Sequence, residues 1–290
     1  MKAAVYAIKF FEALADTGIR GRLTAKFFSG LLKLIKPRAK RIDDNLKLVY
    51  PESSEQWRKD LRNKVYEGVA WTLTETLALQ RDKTQALKWI KKVHGLENVT
   101  RVLEGKKGAV FLTAHFGNWE LLGSWTAQYL HNHNREFYVL FQDMHDKDLS
   151  DYVKSTREHG GMTMVNKDVS VMKLAHWLKS GAFVAALNDV AGTGKMLVPF
   201  MGHQATNMPG PAVMAMLAGV PVIPACCYRI KPFEHEAEFF EPVKFPDNKD
   251  KSMSHEERLK LAVDACNKAL EKIIKSRPEL WFWLHNRWRG

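Results

Sequence analysis

Two kinds of apolar patterning divide the chain. Over residues 1–36 the apolar positions Phe10/Phe11, Phe27/Phe28 and Leu31/Leu32/Leu34/Ile35 recur beside Lys9, Arg20, Arg22, Lys26, Lys33 and Lys36. That is a helical, amphipathic pattern with a basic polar side. Such a segment can dock on anionic headgroups, or its apolar side can pack on the protein and leave the cations solvated; both readings stay open. Ser53 and Gln56 have capping-box spacing, and Trp57, Val65, Val69, Trp71, Leu73 and Leu77 extend a helix beyond them. Another helix is predicted over 84–93. From Lys107 onward, short apolar runs at 109–113, 137–141, 162–165, 183–187, 196–200 and 220–226 alternate with helical stretches at 119–130, 148–159, 169–179 and 210–218. Strands separated by single helices mean βαβ units and a sheet covered on both faces.

A last helix begins at a capping box formed by Ser254 and Glu257, runs to about Lys275, and precedes an aromatic ending with Trp281, Phe282, Trp283 and Trp288. The fold class predicted is therefore α/β: a mixed, mostly parallel central sheet covered by helices, with an α-helical N-terminal section. The organisation predicted is a basic amphipathic segment over 1–40 and a single domain over 41–290.

Charge narrows the partners. The 44 lysines and arginines against 32 acidic residues leave a formal charge of +12, which attracts nucleic acid, an anionic lipid surface or an acidic protein. No zinc finger, RNP aromatics or basic-region helix is present, so nucleic acid is not an expected partner. Cys226 and Cys227 are adjacent on an apolar run, and with Cys266 they suit buried reduced thiols in a cytoplasmic protein. The apolar start of the chain carries Lys2, Lys9 and Glu12 and lacks the organisation of a cleavable signal. No window reaches the roughly 20 apolar residues of a spanning helix, so the chain is expected to lie on a membrane without crossing it.

The candidate chemistry sits at His115-Phe116-Gly117-Asn118-Trp119-Glu120. The apolar run 109–113 ends two residues before His115, which places this histidine at the carboxyl end of a strand, the edge where open α/β sheets bind ligands. Five positions on a continuous helix turn through about 140°, so His115 and Glu120 can meet only if His115 lies in the turn before the helix. Gly117 and the N-cap type Asn118 agree with such a turn. Glu120 would then orient the imidazole, which would take a proton from a hydroxyl as general base. A structural histidine capping a helix is the alternative on local chemistry. No G-x-S-x-G elbow is present, so direct attack without an acyl-enzyme is preferred. The spacing lacks the i, i+4 histidine pair of a zinc helix, and no metal or cofactor is expected.

Further segments follow in order: Arg157-Glu-His-Gly160; Val198-Pro-Phe-Met-Gly202 leading to Gly210-Pro211-Ala212; Pro221-Val-Ile-Pro224 followed by Arg229; and Pro278-Glu-Leu-Trp281-Phe-Trp283-Leu-His285-Asn-Arg287-Trp288. Together with the His115 segment they make the chain from about residue 40 resemble the bacterial lipid A biosynthesis acyltransferases, the lauroyl and myristoyl transferases and their relatives. The resemblance implies transfer of a fatty acyl chain from acyl carrier protein to a hydroxyl of a lipid-anchored sugar. It implies a peripheral or monotopic location at the cytoplasmic face of the bacterial inner membrane, with the carrier protein, an anionic membrane surface and a glycolipid acceptor as partners. The family's His-x-x-x-x-acid dyad maps onto His115 and Glu120, and its R-x-x-G arginine onto Arg157, which would bind substrate or steady the site. Where the family usually has an aspartate after the strand at 183–187, this chain has Asn188 with Asp189 next; both are kept as substrate-site candidates. Gly210 opens a helix whose free amides could hold a phosphate or an oxyanion, or it is an ordinary helix start. Trp281, Trp283 and Trp288 could line an acyl pocket, lie at a membrane interface or pack in the core, with core packing expected for at least two. Another glycolipid, a lysophospholipid or an aryl-lipid acceptor, or a membrane-binding protein with an idle site, are the competing readings.

Overall fold

The computed structural model describes residues 2–144, 146–192, 196–246 and 252–288. Met1, the first residue of the segment read as helical, lies outside them. The N-terminal section is four helices, α1 (Lys2–Leu14), α2 (Ile19–Ile35), α3 (Ala39–Val49) and the long α4 (Glu55–Arg81). The cap of α4 is Ser54, whose side chain accepts from Trp57 N, one residue later than the capping box read at Ser53. Ser53 Oγ instead donates to Tyr50 O at 2.6 Å.

The helix expected over 84–93 is cut short. Helix α5 covers only Gln85–Trp89, and the chain continues as strand β1 (Ile90–His94). Ile-Lys-Lys-Val-His has no apolar run because β1 is an edge strand that pairs on one side only, with a strand far along the chain. Next come α6 (Glu97–Leu103), β2 (Val110–Thr113), α7 (Trp119–His131), β3 (Phe137–Phe141), α8 (Lys147–His159), β4 (Thr163–Asn166), α9 (Val171–Lys179) and β5 (Phe183–Leu187). The run read as a core strand at 196–200 instead forms a separate antiparallel hairpin of β6 (Leu197–Phe200) and β7 (His203–Thr206). Helix α10 (Gly210–Ala218), a second hairpin of β8 (Val222–Lys231) and β9 (Glu234–Phe239), and α11 (His255–Ser276) complete the chain, with a short 3-10 turn at Pro278–Leu280. The capping box at Ser254 and Glu257 is formed as predicted.

The main sheet has the order β1-β9-β8-β2-β5-β3-β4, and every neighbouring pair is parallel except β8 with β9. Strand β2 is buried along its whole length, as a strand covered on both faces must be. Its alternate residues face different cores: Val110 and Leu112 join α9, α10, α11 and the tryptophans of the C-terminal segment, while Phe111 joins α7 and α4. From β2 the chain passes outward to β3 and β4, returns to β5 on one side of β2, and then supplies β8 on the other. The topological switch point, where ligands bind in open sheets, therefore lies beyond the carboxyl ends of β2 and its neighbours.

Candidate active site

Sheet register brings the central pair together. In the parallel β2–β5 ladder Thr113 stands opposite Leu187, and Asn188 N extends the ladder to Thr113 O at 3.0 Å. Two residues past each paired position lie His115 and Asp189. His115 Nδ1 is 2.8 Å from Asp189 Oδ1, and His115 N donates to Asp189 Oδ2 at 2.9 Å. Trp281 Nε1 donates to the same Oδ2 at 2.8 Å. Asp189 is completely buried. Burial by itself would raise its carboxyl, but His115 and the donated hydrogen bonds hold it well below the usual carboxylate range.

The partner predicted for His115 was Glu120, and the structure gives Glu120 another. Arg157 grips the Glu120 carboxylate in a fork, with Nε at 2.9 Å from Oε2 and an Nη at 2.6 Å from Oε1. Trp119 Nε1 donates to Oε1 at 2.9 Å. Burial opposes the Glu120 charge, and Arg157 outweighs it, leaving the group below its ordinary value. Glu120 lies in the first turn of α7 because Asn118 caps that helix, its side chain accepting from Leu121 N at 2.9 Å. Its carboxylate faces α8, where Arg157 sits, and Asp189 occupies the imidazole edge that Glu120 was expected to hold.

The turn itself has the predicted strand-turn-helix form. Gly117 has φ of +57°, and a Cβ there would stand 1.9 Å from Cys227 O, so the position accepts only glycine. Its N–H donates to Leu280 O at 2.9 Å, and Asn118 N donates to Cys227 O at 3.0 Å. Helix α4 braces the same turn. Thr72 Oγ1 donates to Gly117 O at 2.9 Å, and the buried Glu75 accepts from Asn118 Nδ2 at 2.9 Å. Glu75 also takes Arg229 in a fork at 2.8 and 2.7 Å and lies 3.1 Å from His235 Nε2. Burial would raise the Glu75 carboxyl, but Arg229 and His235 reverse this and bring it to about 2.

Other predicted residues fall into place differently. Asn188 contributes through its backbone, since adjacent residues of an extended strand point to opposite faces. Gly210 opens α10 with open space around it, and the segment before it is a structural knot: Asn207 Oδ1 accepts from Arg287 at 2.6 Å and from Asn267 at 3.0 Å. Trp281 and Trp283 are core residues, 1% and 0% exposed. His285, to which the sequence assigns no role, packs its ring edge-on against His115, centroids 4.6 Å apart. Burial first and His115 second lower its imidazole to about 4. His115, Asp189 and His285 each present one metal-ligand atom within 4.8 Å of the others.

Between α7 and the sheet is a narrow apolar pocket, which Thr113 and Leu187, each two residues before a member of the His115–Asp189 pair, help to line. Trp119, Glu120 and Arg157 line one part of it, and Phe111, Phe137 and Phe239 another. A histidine with one nitrogen fixed by a buried carboxylate can accept a proton at the other. Beside an apolar pocket, that is the equipment for moving a proton during group transfer.

Residues 11–290 match the family described as bacterial lipid A biosynthesis acyltransferase, and the chain belongs to that family. It is an acyltransferase. The lipid A biosynthesis lauroyltransferase of Escherichia coli (strain K12) is 27% identical over 264 residues, covering 89% of this chain and 81% of that protein. The lipid A biosynthesis palmitoleoyltransferase of the same strain is 22% identical over 268 residues, covering 88% and 80%. The lipid A biosynthesis acyltransferase of Haemophilus influenzae is 21% identical over 270 residues, covering 92% and 80%.

Proposed function

We propose that this acyltransferase moves a fatty acyl chain from acyl carrier protein to a hydroxyl of a lipid A precursor, with His115 as general base and no acyl-enzyme. The observation that carries the reading is the Asp189–His115 pair, two residues beyond Leu187 and Thr113, which line the apolar pocket. Asp189 holds the proton of His115 on Nδ1, so Nε2 is the nitrogen that accepts the acceptor's hydroxyl proton. The oxygen attacks the thioester carbonyl, the tetrahedral intermediate collapses, and the carrier's thiolate leaves with the proton that His115 took. The carboxylate stabilises the imidazolium for the lifetime of that intermediate.

In this reading the acyl chain enters the apolar pocket under α7, which Phe111, Phe137 and Phe239 help to line. Glu120 and Arg157 neutralise each other beside it and fix Trp119, which makes them positioning residues for the chain's entrance. The +12 charge favours approach of an acidic carrier protein and of an anionic membrane. Among the described residues no helix is long and apolar enough to cross a bilayer, and peripheral attachment at the cytoplasmic face of the inner membrane is part of this proposal. The acceptor is tested by mass spectrometry of lipids from cells with and without the gene. A lipid A species lighter by one acyl group without it supports the reading, and an unchanged lipid A with an altered phospholipid or pigment lipid replaces the acceptor.

A further inference from the structure

Helix α2 turns much of its large apolar surface outward. At about 100° per residue its positions sort into three bands. Gly21, Thr24, Ala25 and Ser29 are its buried residues, all small, and the helix packs on α4. The large apolar residues Ile19, Leu23, Phe27 and Leu34 point outward and are 76%, 59%, 55% and 79% exposed. Between the bands lie the exposed cations Arg22 and Lys26, which make no ion pair among the described residues. An ordinary surface helix turns its large apolar residues to the core; here only Phe28 and Leu32 pack on it, partly buried, and of the outward band Phe27 stacks on Phe11 of α1 while Ile19, Leu23 and Leu34 stay exposed.

The band ends at a cationic turn. Leu34 and Ile35 are followed by Lys36, Arg38, Lys40 and Arg41, none of them ion-paired among the described residues. This turn is tied to the active site. Arg38 donates to Leu284 O at 3.2 Å, and Asn45, about two turns further along α3, donates to Trp283 O at 3.0 Å and His285 O at 2.9 Å. His285 packs on His115.

We infer that the outward band of α2 and the α2–α3 turn form one docking surface for an anionic bilayer, seating the His115 rim at headgroup level. The apolar band enters the interface, and the cations meet lipid phosphates. Delivery of a lipid acceptor to His115 rests on the acyl-transfer reading above; docking itself does not.

The test is flotation of the full-length protein with vesicles of phosphatidylglycerol and phosphatidylethanolamine, and with phosphatidylcholine vesicles. The wild type floats with the anionic vesicles, less so as salt rises. Leu23→Asp with Leu34→Asp lowers partitioning by about 100-fold or more, from two interfacial leucines. Arg38→Gln with Arg41→Gln lowers it by about 30-fold, the factor for two interfacial cations. Partitioning of both variants within about threefold of wild type, at this same scale, overturns the inference, and so does equal wild-type binding to both vesicle types. A concentration-dependent dimer that the leucine changes abolish, without flotation, overturns it in favour of a second copy as the occupant. In a transfer assay the leucine variant keeps its rate on detergent-dispersed acceptor and loses it on vesicle-embedded acceptor; equal loss in both refutes the interfacial role. Wild-type protein that floats but transfers nothing sinks the acyl-transfer reading and leaves the docking surface standing.

Discussion

Replacing Asp189 by asparagine separates the two carboxylates near His115. Asp189 accepts from His115 N, His115 Nδ1 and Trp281 Nε1 at 2.9, 2.8 and 2.8 Å and is shut away from solvent. Asparagine keeps the shape but removes the charge and one acceptor. An N–O contact of this length puts the charge centres of imidazolium and carboxylate about 4 Å apart, where their attraction at an effective dielectric of 20 is about 4 kcal/mol. If that attraction is present only while His115 holds the substrate's proton, its loss slows transfer by about 10³-fold, within the range for a lost general base. The assay is single-turnover transfer of a labelled acyl group from acyl carrier protein to the acceptor. Asp189→Asn should lower kcat by that factor with little change in KM, because Asp189 is too deep to touch substrate. Trp281→Phe, which deletes one donor to the same carboxylate, should cost roughly 10- to 100-fold. An Asp189→Asn enzyme within tenfold of wild type, beside a Glu120→Gln enzyme slowed 10³-fold at constant KM, would return the orienting role to Glu120 and refute the reasoning.

Four other outcomes follow from the geometry. Arg157→Lys cannot reproduce the fork to Glu120, so it should raise the KM for the acyl donor about tenfold or more while moving kcat less, if losing a charged hydrogen bond costs about 1.5–3 kcal/mol. Gly117→Ala forces a left-handed backbone and a Cβ onto Cys227 O; it should lose at least about 2 kcal/mol of stability, read as a lower midpoint in thermal unfolding. His285 titrates at about 4 when folded against 6.5 ordinarily. The unfolded chain takes up its proton first as pH falls, so this group's stability contribution is complete above pH 6.5 and is lost between 6.5 and about 4. The loss is about 3 kcal/mol, and denaturant titrations should show that slope shrink in His285→Phe. Burial pushes the Cys226 and Cys266 thiols up to about 12, so iodoacetamide at neutral pH should label neither until the protein is unfolded.

The sequence shows its helices and central strands wherever burial imposes a pattern. Strand β2 and the Ser254 capping box follow from local residues, because continuous burial and a cap each leave a fixed signature. Strand β1 leaves none: it is short, exposes Lys91 and Lys92, and pairs only with β9 more than a hundred residues away, whereas β9 is held locally in the β8 hairpin and is marked only by its alternating glutamates. The site follows the same division. His115 and its turn are local features, and their placement could be derived from spacing. Asp189 reaches His115 only through the β2–β5 register, and Trp281 only by the return of the C-terminal segment; neither distance is encoded near either residue. Glu120 offered the nearest carboxylate in sequence, and Arg157, on a different helix, took it.

The shared ladder of β2 and β5 also predicts where the chain tolerates change in length. His115 and Asp189 each lie two residues beyond partners fixed by main-chain hydrogen bonds. One residue inserted at 114 or 188 would turn a side chain to the opposite face, and no loop intervenes to absorb the shift. The loop joining α7 to β3 carries no such constraint, so lineages can lengthen it freely. Alignments of related chains should therefore be gapless across 110–118 and 184–189, with their insertions collected at the far ends of the same helices.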